Sequence, residues 1–198
     1  MTREEGVFIG GSGGTAVAAA LDVARDLGPE HLVVVLVPDS GRGYLSKVFD
    51  DEWMAGYGFL RTGERSVADV IEARGGDLPP LVYVHPDDSV RRAVNIMRGH
   101  GVSQVPVAKG EMPLAAAEIL GAVDELALMD LTFRDPSVLD TEVEKVMGPR
   151  LPTVGIGQPV ELAVRLLDAA GAVVVLAGGR PHSVLSRTDV LRFLSTPQ

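Results

Sequence analysis

The period of the apolar positions changes several times along the chain, and each change predicts an element. After the loop Gly10-Gly11-Ser12-Gly13-Gly14-Thr15, the segment AVAAALDVARDL mixes alanines and leucines with spaced charges. It predicts a helix that stops at Gly28-Pro29. HLVVVLV then follows as a short β-branched run, the pattern of a strand buried on both faces of a parallel sheet. From Gly63 onward the pattern repeats. DLPPLVYVHPDDSVRRAVNIMRGHGVSQVPVA with EILGAVDELALMDL, and PRLPTVGIGQPVELAVRLLDAAGAVVVLAGG with SVLSRTDVLRFL, share one plan. Each has Leu-Pro, a short strand, a Pro-containing turn, an amphipathic helix, two more short strands and a closing helix.

In the two amphipathic helices, Val90, Ala93, Val94 and Met97 take the same i, i+3, i+4, i+7 stripe as Val160, Ala163, Val164 and Leu167. The stripe predicts a core-facing side in each repeat. Asp87-Asp88-Ser89 and Gln158-Pro159 stand at the helix starts, where caps, acids and an early proline are favoured. Thr62–Ser66 reads as a short polar join, and Gly75-Gly76-Asp77 and Phe133–Ser137 read as loops. The expected organisation is therefore α/β, with an N-terminal piece over 1–62, a first repeat over 63–137 and a second over 138–198.

Composition narrows the chemistry. A chain of 198 residues with 46% hydrophobic content can bury a core, and it has no cysteine, so a disulfide scaffold, a thiolate nucleophile and a Cys-based zinc site are excluded. The four histidines, His31, His85, His100 and His182, lack metal-ligand spacing, so no metal site is expected. A net charge of −9 disfavours nucleic acid and anionic membranes as partners. Arg91-Arg92, the one adjacent basic pair, fits a solvated helix face. There is no apolar run long enough to span a bilayer, and MTREEGVF does not open like a signal peptide, so the cytoplasm is the expected compartment.

The glycine-rich loop opening a helix has two readings on its own: backbone N–H groups offered to an anion, or close packing of loop against sheet. It is not a GxxxxGK[ST] loop. Downstream, Pro38-Asp39-Ser40-Gly41-Arg42-Gly43-Tyr44 sets a hydroxyl just past the end of the expected strand, where open α/β sheets place ligands. Together with GGSGGTAVAAAL and LSKVFDDEWMAGYGFL, this block resembles the C-terminal end of the catalytic domain of the cystathionine β-synthases, over roughly residues 3 to 60. That family uses pyridoxal phosphate for β-replacement. The resemblance implies that Ser40 meets the cofactor's pyridine nitrogen and that Ser12 and Gly13, within Ser12–Thr15, lie near the active-site wall.

Two family elements have no counterpart here, the Schiff-base lysine and the separate Gly/Thr loop that cradles the phosphate. The only lysines, Lys47, Lys109 and Lys145, fall in settings expected to be solvated. Covalent catalysis through the cofactor cannot be assembled from such a chain, so no β-synthase activity and no pyridoxal phosphate are expected on it, only in the complete enzyme. A chain opening at MTREEGVFIGG reads as a piece of a longer polypeptide, a displaced start or a gene remnant.

The repeats resemble a tandem pair of cystathionine-β-synthase (CBS) domains, the Bateman module, over about residues 64 to 195. The resemblance implies a pseudo-twofold pair with two clefts for adenosine-containing ligands, and self-association as a homodimer. In the second repeat, Ser183-Val184-Leu185-Ser186-Arg187-Thr188-Asp189 is similar to the family's apolar strand followed by [ST]xxD. This implies a nucleoside site built from Val184, Leu185, Ser186, Arg187 and Asp189, with Thr153. The same spacing is also how a helix caps its own start, and both readings stand at this point. The first repeat has Asp124 and Ala127 at the matching positions; an Ala cannot accept a ribose hydroxyl, so that cleft is expected to be empty or differently used. The acidic balance tilts the expected ligand toward S-adenosylmethionine, which some animal members of the enzyme family use as an activator, over AMP or ATP.

Overall fold

The computed structural model describes residues 1–62, 65–74 and 81–195. The loop expected at Gly75-Gly76-Asp77 and the Gly63-Glu64 part of the join lie outside the described residues. The chain divides into two compact units, Met1–Met54 and Ala55–Gln198.

In the first unit, α1 (Thr2–Glu5) is a single turn, and α2 (Gly11–Ala24) is the expected alanine-rich helix, except that it begins at Gly11, inside the loop expected over Gly10–Thr15, and ends at Ala24, before Gly28-Pro29. The strand expected over HLVVVLV does not form. Residues 31–38 run without ladder partners, and Leu32, Val34 and Leu36 are 89%, 84% and 83% exposed. The reason is physical: a strand of this type owes its stability to neighbours on both sides. A β-branched run without such neighbours has only propensity to hold it. A 3-10 turn, Gly41–Tyr44, follows, and then α3 (Asp51–Gly56).

The second unit contains the repeats. α4 (Val67–Ala73) comes first, and α5 (Val90–His100), β1 (Gln104–Ala108), β2 (Ile119–Asp124) and α6 (Glu125–Arg134) follow. β3 (Thr153–Gly155), α7 (Val160–Ala169), β4 (Ala172–Ala177), β5 (Arg180–Ser186) and α8 (Arg187–Ser195) complete it. β1 pairs antiparallel with β2, and Val84 joins β1 by a parallel bridge at Val107. In the second repeat, β4 lies between β3, which is parallel to it, and β5, which is antiparallel. The loop expected over Phe133–Ser137 is partly helical: α6 continues to Arg134, and Asp135 caps a 3-10 turn over Pro136–Asp140.

Val90, Ala93 and Met97 are buried as predicted, and so are Val160, Ala163 and Leu167. The i+4 positions differ. Val94 is partly buried, while Val164 is 38% exposed and therefore not a core residue; α7 instead sets Leu162 and Leu166 beside its buried stripe against the core.

The two cores cross the sequence division between the repeats. Val67 and Val70 of α4 pack with Val154, Leu167, Val173, Leu185 and Val190 of the second repeat, whereas Val143 packs with Val84, Val90 and Val123 of the first. The backbone records the exchange symmetrically. Val67 N–H donates to the Gln158 carbonyl and Val160 N–H to that of Arg65; in the other repeat, Val143 N–H donates to Asp88 and Val90 N–H to Thr141. Each repeat thus takes the opening segment of the other. Ile119 of β2 packs on Val174 and Leu176 of β4, joining the two sheets.

Ala55–Thr62 also packs on the second repeat. Thr62 N–H donates to the Gly157 carbonyl at 2.9 Å and Gly179 N–H to Tyr57 at 2.7 Å.

Candidate ligand site at the start of α8

β5 delivers its last residues to α8 with fixed roles. Leu185 is fully buried in the second core, and Val184 packs against the Leu81, Ala108 and Leu114 cluster. The next residue, Ser186, faces the first turn of α8. Its N–H and Oγ–H donate to Asp189 Oδ2 at 2.8 and 2.6 Å, and Asp189 N–H lies 3.4 Å from Ser186 Oγ. This is a reciprocal cap, so the spacing does satisfy the helix start as the capping reading expects. An acid at a helix start is also favoured by the dipole.

The carboxylate has a further partner that the sequence did not point to. Arg74, at the C-terminal end of α4, donates from Nε to Asp189 Oδ1 at 2.8 Å and from Nη2 to Oδ2. The same guanidinium donates to Ser183 Oγ at 3.1 Å and to the Val184 carbonyl at 2.6 Å. Side-chain exposure is 11% for Arg74 and 14% for Asp189, so the pair is largely desolvated. Burial alone would raise the Asp189 pKa and is the largest single influence. The hydrogen bonds from Arg74 and Ser186 and the Arg74 charge outweigh it, and the carboxyl is held below its usual range. Arg74 was not legible because nothing in its local pattern singles it out, and the pairing depends on α4 crossing to the second repeat.

The other predicted residues are distributed more widely. Arg187 turns to the C-terminal end of α7, donating from Nε to the Leu167 carbonyl at 2.8 Å and from Nη2 to Asp168 at 3.3 Å. There it satisfies helix-end carbonyls. Thr153 opens β3 and pairs with Val174, so β4 separates it from β5. Ser183, Val184, Leu185, Ser186 and Asp189 are brought together; Thr153 and the Arg187 guanidinium are not placed with them by any of these bonds.

At the matching position of the first repeat, Asp124 caps α6 by accepting from Ala127 N–H at 3.0 Å, and it accepts from Gln104 Nε2 at 2.8 Å. Ala127 offers no acceptor side chain, so the two repeats differ as the sequence indicates.

In the first unit, Gly10 fits against the turn because a side chain there would strike the Asp39 carboxylate. Asp39 accepts from Tyr44 Oη at 2.5 Å and from Ser12 Oγ at 3.4 Å. The Tyr44 pKa is raised, first by that hydrogen bond and then by the Asp39 charge. Gly13 is buried with Ile9 and Val37 around it. Ser40 accepts from Arg42 N–H at 3.4 Å and bridges to Ile9. Gly10, and Gly13 in the first turn of α2, are therefore packed closely on the Val37–Tyr44 segment.

Among the described residues no helix is long and apolar enough to cross a membrane, and no cluster of three or more His, Asp or Glu could hold a metal.

Residues 76–114 and 143–196 match the CBS domain family. The chain is 36% identical over 127 residues to cystathionine β-synthase of Oryctolagus cuniculus, covering 62% of this chain and 22% of that enzyme. It is 24% identical over 210 residues to cystathionine β-synthase of Dictyostelium discoideum, covering all of this chain and 41% of that enzyme. The chain thus spans less than half the length of the curated relatives it matches. Among solved structures, the CBS domain of a bacterial CNNM/CorC family Mg2+ transporter in complex with ATP superposes with a TM-score of 0.52 at 16% identity, covering 66% of this chain and 87% of that one. The repeats have the tandem CBS-domain fold.

Proposed function

We propose that the repeats form the regulatory module of a cystathionine β-synthase-type polypeptide and that the second repeat binds an adenosine-containing ligand. The observation that carries this reading is Asp189, a largely buried carboxylate set beside Ser186 at the junction of β5 and α8. Such a carboxylate can accept both hydroxyls of a ribose. The ATP complex of the transporter domain, which shares the fold, and the names of the relatives support the same reading.

On the choice of ligand, charge balance alone favours S-adenosylmethionine, but Arg74 changes that balance. Once released from Asp189, a forked guanidinium beside the site suits a phosphate and opposes a sulfonium. We therefore place AMP or ATP ahead of S-adenosylmethionine. Calorimetric titration of the wild-type chain and Asp189→Ala with AMP, ATP and S-adenosylmethionine tests the site. Binding to wild type that is lost in the variant is the expected result; no binding of any of the three to wild type sinks the sensor reading.

The catalytic role belongs, on this reading, to the longer polypeptide: pyridoxal-phosphate-dependent β-replacement joining serine and homocysteine on the way to cysteine. The donor set of residues 1–54 does not fit the cofactor. Ser40 could meet a ring nitrogen, but Lys47 is the sole amine side chain of the stretch and follows the turn at Gly41–Tyr44 rather than standing in a Ser-x-Lys setting. No chemical step is assigned to this unit.

A second reading, a homodimerising scaffold, is favoured by one observation. Leu126, Met129 and Phe133 on α6 are 69%, 63% and 90% exposed, and Leu191 and Leu194 on α8 are 67% and 55% exposed. Apolar stripes of this kind mark interaction surfaces. Light scattering on Phe133→Glu against wild type tests it: a dimer converted to a monomer supports it, and a wild-type monomer rejects it.

A further inference from the structure

We propose that Arg74 is a built-in occupant of the second-repeat site, holding the positions on Asp189 that the two ribose hydroxyls of an adenosine ligand would take. This rests on the nucleoside reading above. A carboxylate offers about four lone-pair sites. Asp189 accepts four bonds, three on Oδ2 and one on Oδ1: Ser186 N–H and Oγ–H donate to Oδ2, and Arg74 donates from Nε to Oδ1 and from Nη2 to Oδ2. The Ser186 bonds are the cap of α8 and cannot be given up without fraying the helix start. The Arg74 bonds can. They come from two adjacent donors on one rigid fork, as the bonds from a cis-diol come from two adjacent hydroxyls. Oδ2 has no room for a further donor and Oδ1 keeps one open position, so a ribose can engage both carboxylate oxygens only by replacing the guanidinium.

The occupant is held by more than the ion pair. Its remaining donors are satisfied by Ser183 Oγ and the Val184 carbonyl, so the closed form leaves little of the fork unpaired. Arg74 is also the C-cap residue of α4, and α4 belongs to the second core through Val67 and Val70. Ligand binding consequently releases the end of a helix that the chain shares between repeats, and α4 is in turn tied to Arg61, whose Nη2 donates to both Asp69 carboxylate oxygens at 2.8 Å. The competition sets the apparent affinity: a site competent in only a fraction of molecules binds more weakly by that fraction.

Adenosine alone, uncharged and without a phosphate, is the probe. Arg74→Met keeps an unbranched apolar stem and removes the guanidinium donors. It should bind adenosine about tenfold more tightly than wild type, if the open form is roughly a tenth of the population. Arg74→Lys, which keeps the charge and loses the fork, should fall between. Equal affinities for wild type and Arg74→Met overturn the occupant while leaving the nucleoside site standing. Weaker binding by Arg74→Met overturns it too, by making Arg74 a ligand contact. If adenosine binds neither chain, the nucleoside reading itself fails. A measurement on the unmodified chain guards against a variant that does not fold. The Arg74 Nε–H resonance should shift as adenosine saturates the site, and a resonance unchanged at saturation refutes displacement.

Discussion

Arg74 and Asp189 stand 115 residues apart in the chain and meet in one largely buried, bidentate ion pair. Removing one partner of such a pair leaves the other charge desolvated, which costs more than the pair contributes. Asp189→Ala should therefore destabilise the second repeat by about 3 kcal/mol, whereas replacing both partners by apolar residues of similar size should cost much less. Denaturant midpoints of the single and double variants decide it, and additive losses would show that the two residues do not act as a pair.

The same pair predicts an acid limb. The folded-state pKa of Asp189 is lowered, so its contribution is fully present above the unfolded value near 4 and is lost as pH falls through the lower folded value. Asp69 behaves likewise, its carboxyl lowered chiefly by the Ser66 backbone N–H. Melting temperatures recorded from pH 7 to pH 3 should drop more steeply for wild type than for Asp189→Asn. Parallel curves would mean the carboxyl is not depressed in the folded state.

The crossing of the cores makes a separate prediction. Val70 stands in the opening segment of the first repeat but is buried in the second core. Val70→Ala should cost about 2 kcal/mol by leaving a cavity there. Hydrogen exchange should then accelerate in β4 and β5 and remain unchanged in β1 and β2; loss of protection in the first repeat instead would reverse the assignment.

That crossing also marks how far the sequence could be read. The amphipathic helices α5 and α7, the paired strands, the closing helices and the Ser89 cap follow from period and turn chemistry, and Ser186 with Asp189 was visible as a spaced motif; the first repeat's opening strand is only a bridge at Val84, and α7 starts without a side-chain cap. What was not visible depends on distant partners. Val67 and Val143 look like ordinary apolar residues of their neighbouring segments, and Arg74 looks like a solvated helix end. HLVVVLV failed in the opposite direction: its β-propensity is plain, but a strand needs neighbours, and residues 31–38 have no ladder partner. Val164 failed because the apolar stripe is wider in sequence than the face that α7 buries.

In the first repeat, Asp124 caps α6 and accepts from Gln104. Asp124→Ala should cost about 1 kcal/mol for the lost cap on Ala127 N–H and more for Gln104, whose Oε1 already lacks a partner. Calorimetry on this variant should still give one adenosine-nucleotide site per chain. A stoichiometry that falls from two to one would place a second site in the first repeat.

The seating of Ala55–Thr62 rests on glycines at close approaches. A side chain on Gly155 would overlap the Ala55 carbonyl, and one on Gly157 would overlap that of Leu60. Gly58, at φ +75°, lies against the Leu176 carbonyl and accepts from Gly178 N–H, so both strands of the contact are backbone. Backbone cannot swing aside as a side chain can. Gly155→Ala should therefore force the segment off the second repeat at a cost of about 1–3 kcal/mol, the range for overpacking. Gly99→Ala is the matched control: it lies within α5 with open space around its Cβ, and there the gain in helix propensity should stabilise by about 0.5–1 kcal/mol. Denaturant midpoints moving in opposite directions, with new proteolytic cleavage near Leu60 in Gly155→Ala alone, are the expected result. An unchanged midpoint for Gly155→Ala would show that the segment is not seated there.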